Sequence, residues 1–230
     1  TLSSSSAASD VYKRQDGSGF NTEQQKTVET LLKGTLRRVK WDKVGMVQKA
    51  DGISPYLNAL KNLAHPEGRY KVVVDTACGT SSLLMPTLLR ELNFEVLTLN
   101  APPSGIHYGR RNSRKPETGS AVSEWSAFVR LGDLSAIVEA VEADFGVAYD
   151  GDSDRLLAVD ERGEVVPEDT LLALFCEQVL EKVKGPVVTT VDASMLVEEV
   201  ARRFGVKVVR SRVGDVFVSE EMRRIGAVFG

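Results

Sequence analysis

Short β-branched or apolar runs alternate with stretches of helical length from residue 54 to the end of this 230-residue chain, and that alternation most restricts what the chain can fold into. Lys71–Asp75 reads as a buried strand, and Thr76-Ala77-Cys78-Gly79-Thr80 turns the chain into a helix over Ser81–Glu91. Glu95–Leu99 is the next strand, Leu134–Ala143 a helix, and Phe145–Tyr149 and Leu156–Asp160 are strands. A turn at Glu161-Arg162-Gly163 closes this stretch. Strands alternating with helices predict sheets layered between helices. The fold class is therefore α/β, with helix-sheet-helix layers and mixed, mostly parallel sheets.

The pattern then restarts. Asp169–Val183 is a long helix, Pro186–Val191 a strand, a helix runs to Phe204, and Val206–Val209, Val216–Arg224 and Ala227–Phe229 follow as strand, helix and strand. At about 150 residues per domain, the length fits one to two domains, and the second pattern reads as cut off. Upstream, 54–64 reads as a helix, and so does a stretch beginning at Asn21 or Thr22, with a sparse stripe of Val28, Leu31 and Leu32 and an end at Gly34. Trp41, Val44 and Val47 mark a packed linker, and packing is the default for Trp41 and Trp125. Residues 1–15 are Ser-rich and aperiodic, and read as a leader outside the fold. Residues 100–132 are irregular and contain the basic cluster Arg110, Arg111, Arg114 and Lys115. They read either as a surface loop or as one that meets the phosphate end of a substrate.

The run Asp150-Gly151-Asp152-Ser153-Asp154-Arg155 carries the chemistry. Three carboxylates at alternate positions repel one another unless a cation sits among them. Hard oxygen ligands suit Mg²⁺ or Ca²⁺, not zinc. Arg155 adds a positive fork suited to a phosphate oxygen. The run follows directly on the strand Phe145–Tyr149, at the edge where open α/β sheets gather ligands. The bland reading is a solvated acidic turn. An EF-hand would place Glu161 at position 12, but its sixth position needs glycine and here holds Arg155, and the flanks have strand length. An aspartyl-nucleophile phosphatase uses a DxD pair, but the third aspartate and Arg155 fit it poorly.

Composition removes other classes. Net charge is −3, without the basic excess of a nucleic-acid binder. No apolar stretch approaches the ~20 residues of a membrane span, and no signal peptide is visible. Cys78 and Cys176 form no CxxC pair and read as buried thiols of a reducing, cytoplasmic protein. His65 and His107 are too few for a zinc site. Neither GxGxxG nor GxxxxGK[ST] occurs, so nucleotide binding has little support. Gly79 with Thr80, Ser81 and Ser82 reads as a tight turn or as an anion-binding helix start.

DGDSDR, preceded by Ala143-Asp144-Phe145-Gly146-Val147-Ala148-Tyr149, resembles the metal loop of the α-D-phosphohexomutases: the phosphoglucomutases, phosphomannomutases and phosphoglucosamine mutases. Val72-Val73-Val74-Asp75 with Gly79 is similar to the first strand and turn of that family's second domain. Ser211-Arg212-Val213-Gly214-Asp215 is similar to a third-domain loop that faces the sugar, and Arg224–Gly230 to the lead-in of the sugar-recognition loop. Asp16-Gly17-Ser18-Gly19-Phe20 is similar to the tail of the first domain. The style is closest to archaeal-type sequences.

The resemblance implies a remnant of a first domain with its linker over 16–50, a second domain with the metal loop over 51–163, and a truncated third domain over 164–230. It implies an enzyme that moves a phosphoryl group between the C1 and C6 hydroxyls of a hexose phosphate, through an enzyme phosphoserine and a hexose bisphosphate. Mg²⁺ would be held by Asp150, Asp152 and Asp154. Asp192 and Ser194 would lie near the substrate, although Ser194 reads first as the cap of the next helix. Gly214 and Asp215 would contact sugar hydroxyls, with Asp215 alternatively capping the helix from Val216. The serine motif T-A-S-H-N-P, the Glu-containing sugar loop and the fourth domain are absent, and 110–131 lacks the family's Pro-Glu-Pro pattern, so the expectation is a fragment inactive alone, with no catalytic residue of its own. The alternatives are a non-catalytic divalent-cation-binding α/β module and a metal-free phosphate-binding domain.

Overall fold

A computed structural model describes residues 19–34, 38–102 and 131–230. The leader, the basic cluster at Arg110–Lys115 and Trp125 lie outside those residues. The chain divides into two compact units, Gln48–Val166 and Pro167–Gly230, the second grouped with residues up to Val47.

In the first unit, α2 (Ile53–Leu63) begins where the Asp51 carboxylate accepts the amides of Ile53 and Ser54. Strands β1 (Lys71–Asp75), β2 (Glu95–Leu99), β3 (Phe145–Tyr149), β4 (Leu156–Val159) and β5 (Val165–Val166) form one sheet in the order β2-β1-β3-β4-β5. The first three are parallel, with Val74 opposite both Thr98 and Val147; β4 and β5 are antiparallel additions. The sheet is thus mixed and mostly parallel.

Val72, Val73 and Val74 are all fully buried, so β1 is covered on both faces, as a central parallel strand requires. On one face Val73, Ala148, Leu157 and Val159 pack against Leu131, Leu134 and Val138 of α4 (Leu131–Ala140). Helix α3 (Met85–Glu91) is shorter than the sequence predicts. A 3₁₀ turn over Thr80–Leu83 comes first, and Pro86 sits in the opening turn, where its missing N–H costs nothing.

In the second unit, α5 (Glu168–Lys182), β6 (Val187–Thr190), α6 (Leu196–Phe204), β7 (Val208–Ser211) and α7 (Asp215–Ile225) follow in order. Strands β6 and β7 are parallel, and Val187 makes a further parallel bridge to Phe229. The core joins Ala173, Cys176 and Leu180 of α5 to Val187, Val197 and Val200. Strand β7 starts two residues later than its β-branched run implies. Gly205 takes a left-handed conformation (φ 68°), and the Val206 amide is spent on the Ala201 carbonyl, closing α6.

Helix α1 (Thr22–Lys33) opens with a full capping box: Asn21 Oδ1 accepts the Gln24 amide, and Gln24 Oε1 accepts the Asn21 amide. Its expected apolar stripe is not buried, since Leu31 and Leu32 are both exposed. The expected packed linker is likewise overturned: Trp41 is 89% exposed and Val47 99%. These side chains find no apolar surface to cover among the described residues.

Gly146 in β3 sits where the first core leaves no room for a side chain. A Cβ there would come within 2.6 Å of Val138 Cγ2 and 2.7 Å of Val159 Cγ2. Gly146→Ala should therefore destabilise the unit by about 1–3 kcal/mol through overpacking, read as a lower urea midpoint; an unchanged midpoint would show that the helix can back away freely.

Candidate metal centre

Strand β3 delivers the Asp-rich loop to the carboxyl edge of the first sheet. One carboxylate oxygen from each of Asp150, Asp152 and Asp154 lies within 4.8 Å of the others. Two ligands on opposite sides of a Mg²⁺ ion lie about 4.2 Å apart, twice the bond length, so a small inward shift would let one ion bridge the set. Asp150 is the most enclosed partner of the Arg155 pair, with a side chain 12% exposed against 45% for Asp154. The Arg155 Nε lies 3.0 Å from Asp150 Oδ2 and 3.7 Å from Asp154 Oδ1. The guanidinium therefore already offsets part of the mutual repulsion. Tyr149, immediately before Asp150 in sequence, is pushed above the usual phenol range by burial and, secondarily, by Tyr56.

The loop does not stand alone. Because β1 and β3 are parallel neighbours, the turn after β1 emerges at the same edge. The Thr80 amide donates to Gly151 O (3.2 Å), and the Thr80 hydroxyl reaches Asp152 O and Ser153 Oγ, both at 3.0 Å. The Ser81 amide donates to Ser153 Oγ (2.9 Å). The approach is so close that a Cβ on Gly79 would fall 2.5 Å from Gly151 O. Ser153 itself is left-handed, with φ 64°.

The same turn is anchored beneath. The buried Asp75 carboxylate accepts the Ala77 amide (2.9 Å) and the Asn100 side-chain amide (3.0 Å). Cys78 donates its amide to Asn100 O at 2.8 Å. Ala77 and Cys78 hold positive φ values of 49° and 54°, conformations that cost non-glycine residues about 1–3 kcal/mol each and persist only when surroundings fix them. The tight turn is present, with the Gly79 amide donating to Thr76 O at 2.7 Å, but Thr80 and Ser81 form no anion cradle. Their amides and the Thr80 hydroxyl are spent on the acidic loop, a role that sequence reasoning missed.

The remaining candidates lie in the second unit, at the carboxyl ends of the parallel strands β6 and β7. Asp192 is exposed in the turn after β6. Ser194 sits just before α6: its Oγ accepts the Leu196 amide at 3.3 Å, and its amide donates to Asp169 Oδ1. Gly214 precedes α7 with φ 131°, and its carbonyl accepts the Phe217 and Val218 amides. Asp215 is the first residue of α7, and its Oδ1 accepts the Val216 amide at 2.8 Å. Arg212 lies over the Phe217 ring, 4.0 Å from its centroid, and pins this loop. Arg210, unmarked by any motif, ties the other loop down. Its Nη1 donates to the carbonyls of Thr190, Val191 and Ala193, and its Nε to Glu198 Oε1.

Fold and site together define a mixed α/β protein with three converging carboxylates in a loop at a strand end. Family profiles specify the class: residues 54–163 match "Phosphoglucomutase/phosphomannomutase, alpha/beta/alpha domain II" and residues 167–230 match domain III. The chain belongs to the phosphoglucomutase/phosphomannomutase family, the α-D-phosphohexomutases. Among its relatives, a probable phosphoglucosamine mutase of Methanopyrus kandleri is 39% identical over 94% of this chain and 46% of its own length. A phosphoglucomutase/phosphomannomutase of Thermococcus kodakarensis is 38% identical with the same coverage. The chain thus spans about half the length of the curated relatives it matches. In fold, it is similar to a putative phosphomannomutase structure from Thermus thermophilus (TM-score 0.69, 21% identity, 90% of this chain and 46% of that one). It is also similar to a family protein from Burkholderia thailandensis (TM-score 0.66, 24% identity, 78% of this chain and 37% of that one).

Arg210→Lys keeps the charge but cannot fork to several carbonyls. It should cost about 1–2 kcal/mol and speed amide exchange across residues 190–194, measured by hydrogen exchange; unaltered exchange would assign the loop's order to something else.

Proposed function

We propose that this chain is the cation-holding portion of a Mg²⁺-dependent phosphohexomutase that moves a phosphoryl group between the C1 and C6 hydroxyls of a hexose phosphate. The convergence of Asp150, Asp152 and Asp154 to within 4.8 Å, beside Arg155, carries the proposal. Family membership supports the reaction class, and the mutase names of the relatives support sugar phosphates as substrates.

The three aspartates would hold the ion, and bound Mg²⁺ would neutralise charge on a phosphoryl group in transfer. Arg155 would give a planar, always-charged partner to phosphate oxygens. Asp192, Ser194, Gly214 and Asp215 are proposed to meet the sugar. The phosphoryl-carrying serine would come from sequence outside this chain, since T-A-S-H-N-P does not occur in it. A glucose, mannose or glucosamine phosphate, and its bisphosphate as intermediate, are the proposed ligands. A reducing, cytoplasmic setting fits two buried free thiols. Among the described residues no helix is long and apolar enough to cross a membrane.

Calorimetry on the chain should show Mg²⁺ binding that Asp152→Ala abolishes, and hexose bisphosphate binding only when Mg²⁺ is present. Calcium-selective binding that ignores sugar phosphate would instead favour a non-catalytic cation module. The purified chain should show no mutase turnover alone, and measurable turnover would refute the external serine. Arg155→Gln removes a positive charge from beside the acids. It should strengthen Mg²⁺ binding at low salt while weakening the bisphosphate; parallel loss of both would contradict the assignment of Arg155 to phosphate.

A further inference from the structure

We infer that Thr80 is a positioning residue for the acidic loop, and that the hydroxyl pair Thr80–Ser153 sets how well that loop selects Mg²⁺ over Ca²⁺. This rests on the proposed cation site. Thr80 lies in the turn after β1, 70 residues before the loop in sequence, and nothing in the sequence pairs the two.

The loop faces an energetic problem at its centre. Its three carboxylates must be gathered against their own repulsion before an ion can bridge them. Whatever gathers them beforehand without a competing positive charge adds to ion affinity, because the ion need not do that work. Arg155 supplies charge, but its side chain is 55% exposed, so it is a soft restraint in high dielectric. The backbone restraint comes from across the sheet.

Thr80 Oγ1 lies 3.0 Å from the carbonyl oxygen of Asp152, the middle acid, and 3.0 Å from Ser153 Oγ. A hydroxyl carries one proton and two lone pairs. The carbonyl can only accept, so both contacts form together when Thr80 donates to Asp152 O and the Ser153 hydroxyl donates to Thr80 Oγ1. Ser153 Oγ in turn accepts the Ser81 amide at 2.9 Å. Ser153 stands between Asp152 and Asp154 in a left-handed conformation, so it decides where both neighbouring acids point. The clamp thus fixes the two acids that are exposed, while Asp150 is held by the end of β3.

Selectivity follows from ion size. Mg²⁺ demands near-ideal octahedral geometry at about 2.0–2.1 Å, whereas Ca²⁺ accepts flexible surroundings at about 2.3–2.6 Å. Loosening the loop therefore penalises Mg²⁺ more than Ca²⁺. A role confined to fold stability would move both ions alike or neither.

The test uses the full 230-residue chain, with Mn²⁺ binding followed by electron paramagnetic resonance and competed by Mg²⁺ or Ca²⁺. Thr80→Val is close to isosteric and removes only the hydroxyl. It should weaken Mg²⁺ by about five- to tenfold, the size of one lost hydrogen bond, and Ca²⁺ by less than about twofold. Thr80→Ser should restore Mg²⁺ binding. Ser153→Gly, which suits the left-handed backbone, should show the same selective loss, and the double variant should lose little more than either single one. If Thr80→Val compromises folding by near-ultraviolet circular dichroism, Ser153→Gly decides alone. Mg²⁺ affinity in both variants within about twofold of the parent would overturn the clamp, and loss of Mn²⁺ in Asp152→Ala would show that the cation site itself stands. A parent chain that takes up no Mn²⁺ would overturn both.

Discussion

Three carboxylates confined to five residues repel one another, and the first unit is arranged around containing that repulsion. Interaction between unit charges at 4–5 Å is worth about 1 kcal/mol in water and several times that near a protein surface. Containment comes from three directions. Arg155 places its guanidinium beside Asp150 and Asp154. Ser153 turns left-handed and directs the acids on either side. The turn after β1 binds the loop backbone at Gly151 and Asp152 and the hydroxyl of Ser153. Only the last restraint reaches back to the core, because that turn is itself tied to the buried Asp75 and to Asn100.

The core matters to the site through register. Val72–Asp75 pairs in parallel with Phe145–Ala148, so the ends of β1 and β3 leave the sheet side by side. A one-residue slip would exchange the faces of β3 and carry Gly146 away from Val138, where a side chain cannot fit. The close packing that fixes Gly146 thereby fixes the height at which Asp150 emerges. The second unit meets a milder version of the same task, with loops to hold but no like charges to confine. There Arg210, reaching three carbonyls and Glu198, holds one loop, and Arg212 over the Phe217 ring holds the other.

What the sequence made legible follows the range of the interactions involved. β1, β2 and β3 were readable to the residue because their apolar runs are short, β-branched and bounded by polar turns. The helix start at Asn21 or Thr22 and the convergence of the acids are also local, and the structure settles the cap on Asn21. Errors arose where a residue serves two elements or none. Val206 looks like strand but closes α6, so β7 begins at Val208. Leu31, Trp41 and Val47 look like packing residues yet stay exposed. Thr80 and Ser81 read as a cap or anion site because their partner lies about 70 residues away. Strand order decides that pairing, and periodicity carries no strand order. Arg210 was invisible for the same reason: one basic residue at the end of a strand says nothing of the three carbonyls around it.

Arg155 brings the two halves of the proposed chemistry into one energetic account. Its Nε is engaged by Asp150, an oxygen source that a cation would also want. In the proposed function, a cation arriving among the acids would take over the neutralising role and repel the guanidinium, which would leave Arg155 better disposed towards an anion. An anion drawn to Arg155 in turn weakens its hold on Asp150 and favours the cation. Coupling of this kind is reciprocal by thermodynamic necessity: each ligand raises the affinity of the other by the same factor. In the proposed function, an acidic loop with an adjoining arginine thus recognises a metal–phosphate pair more strongly than either member alone. A merely acidic turn has no such property, and neither does a calcium loop whose sixth position is glycine.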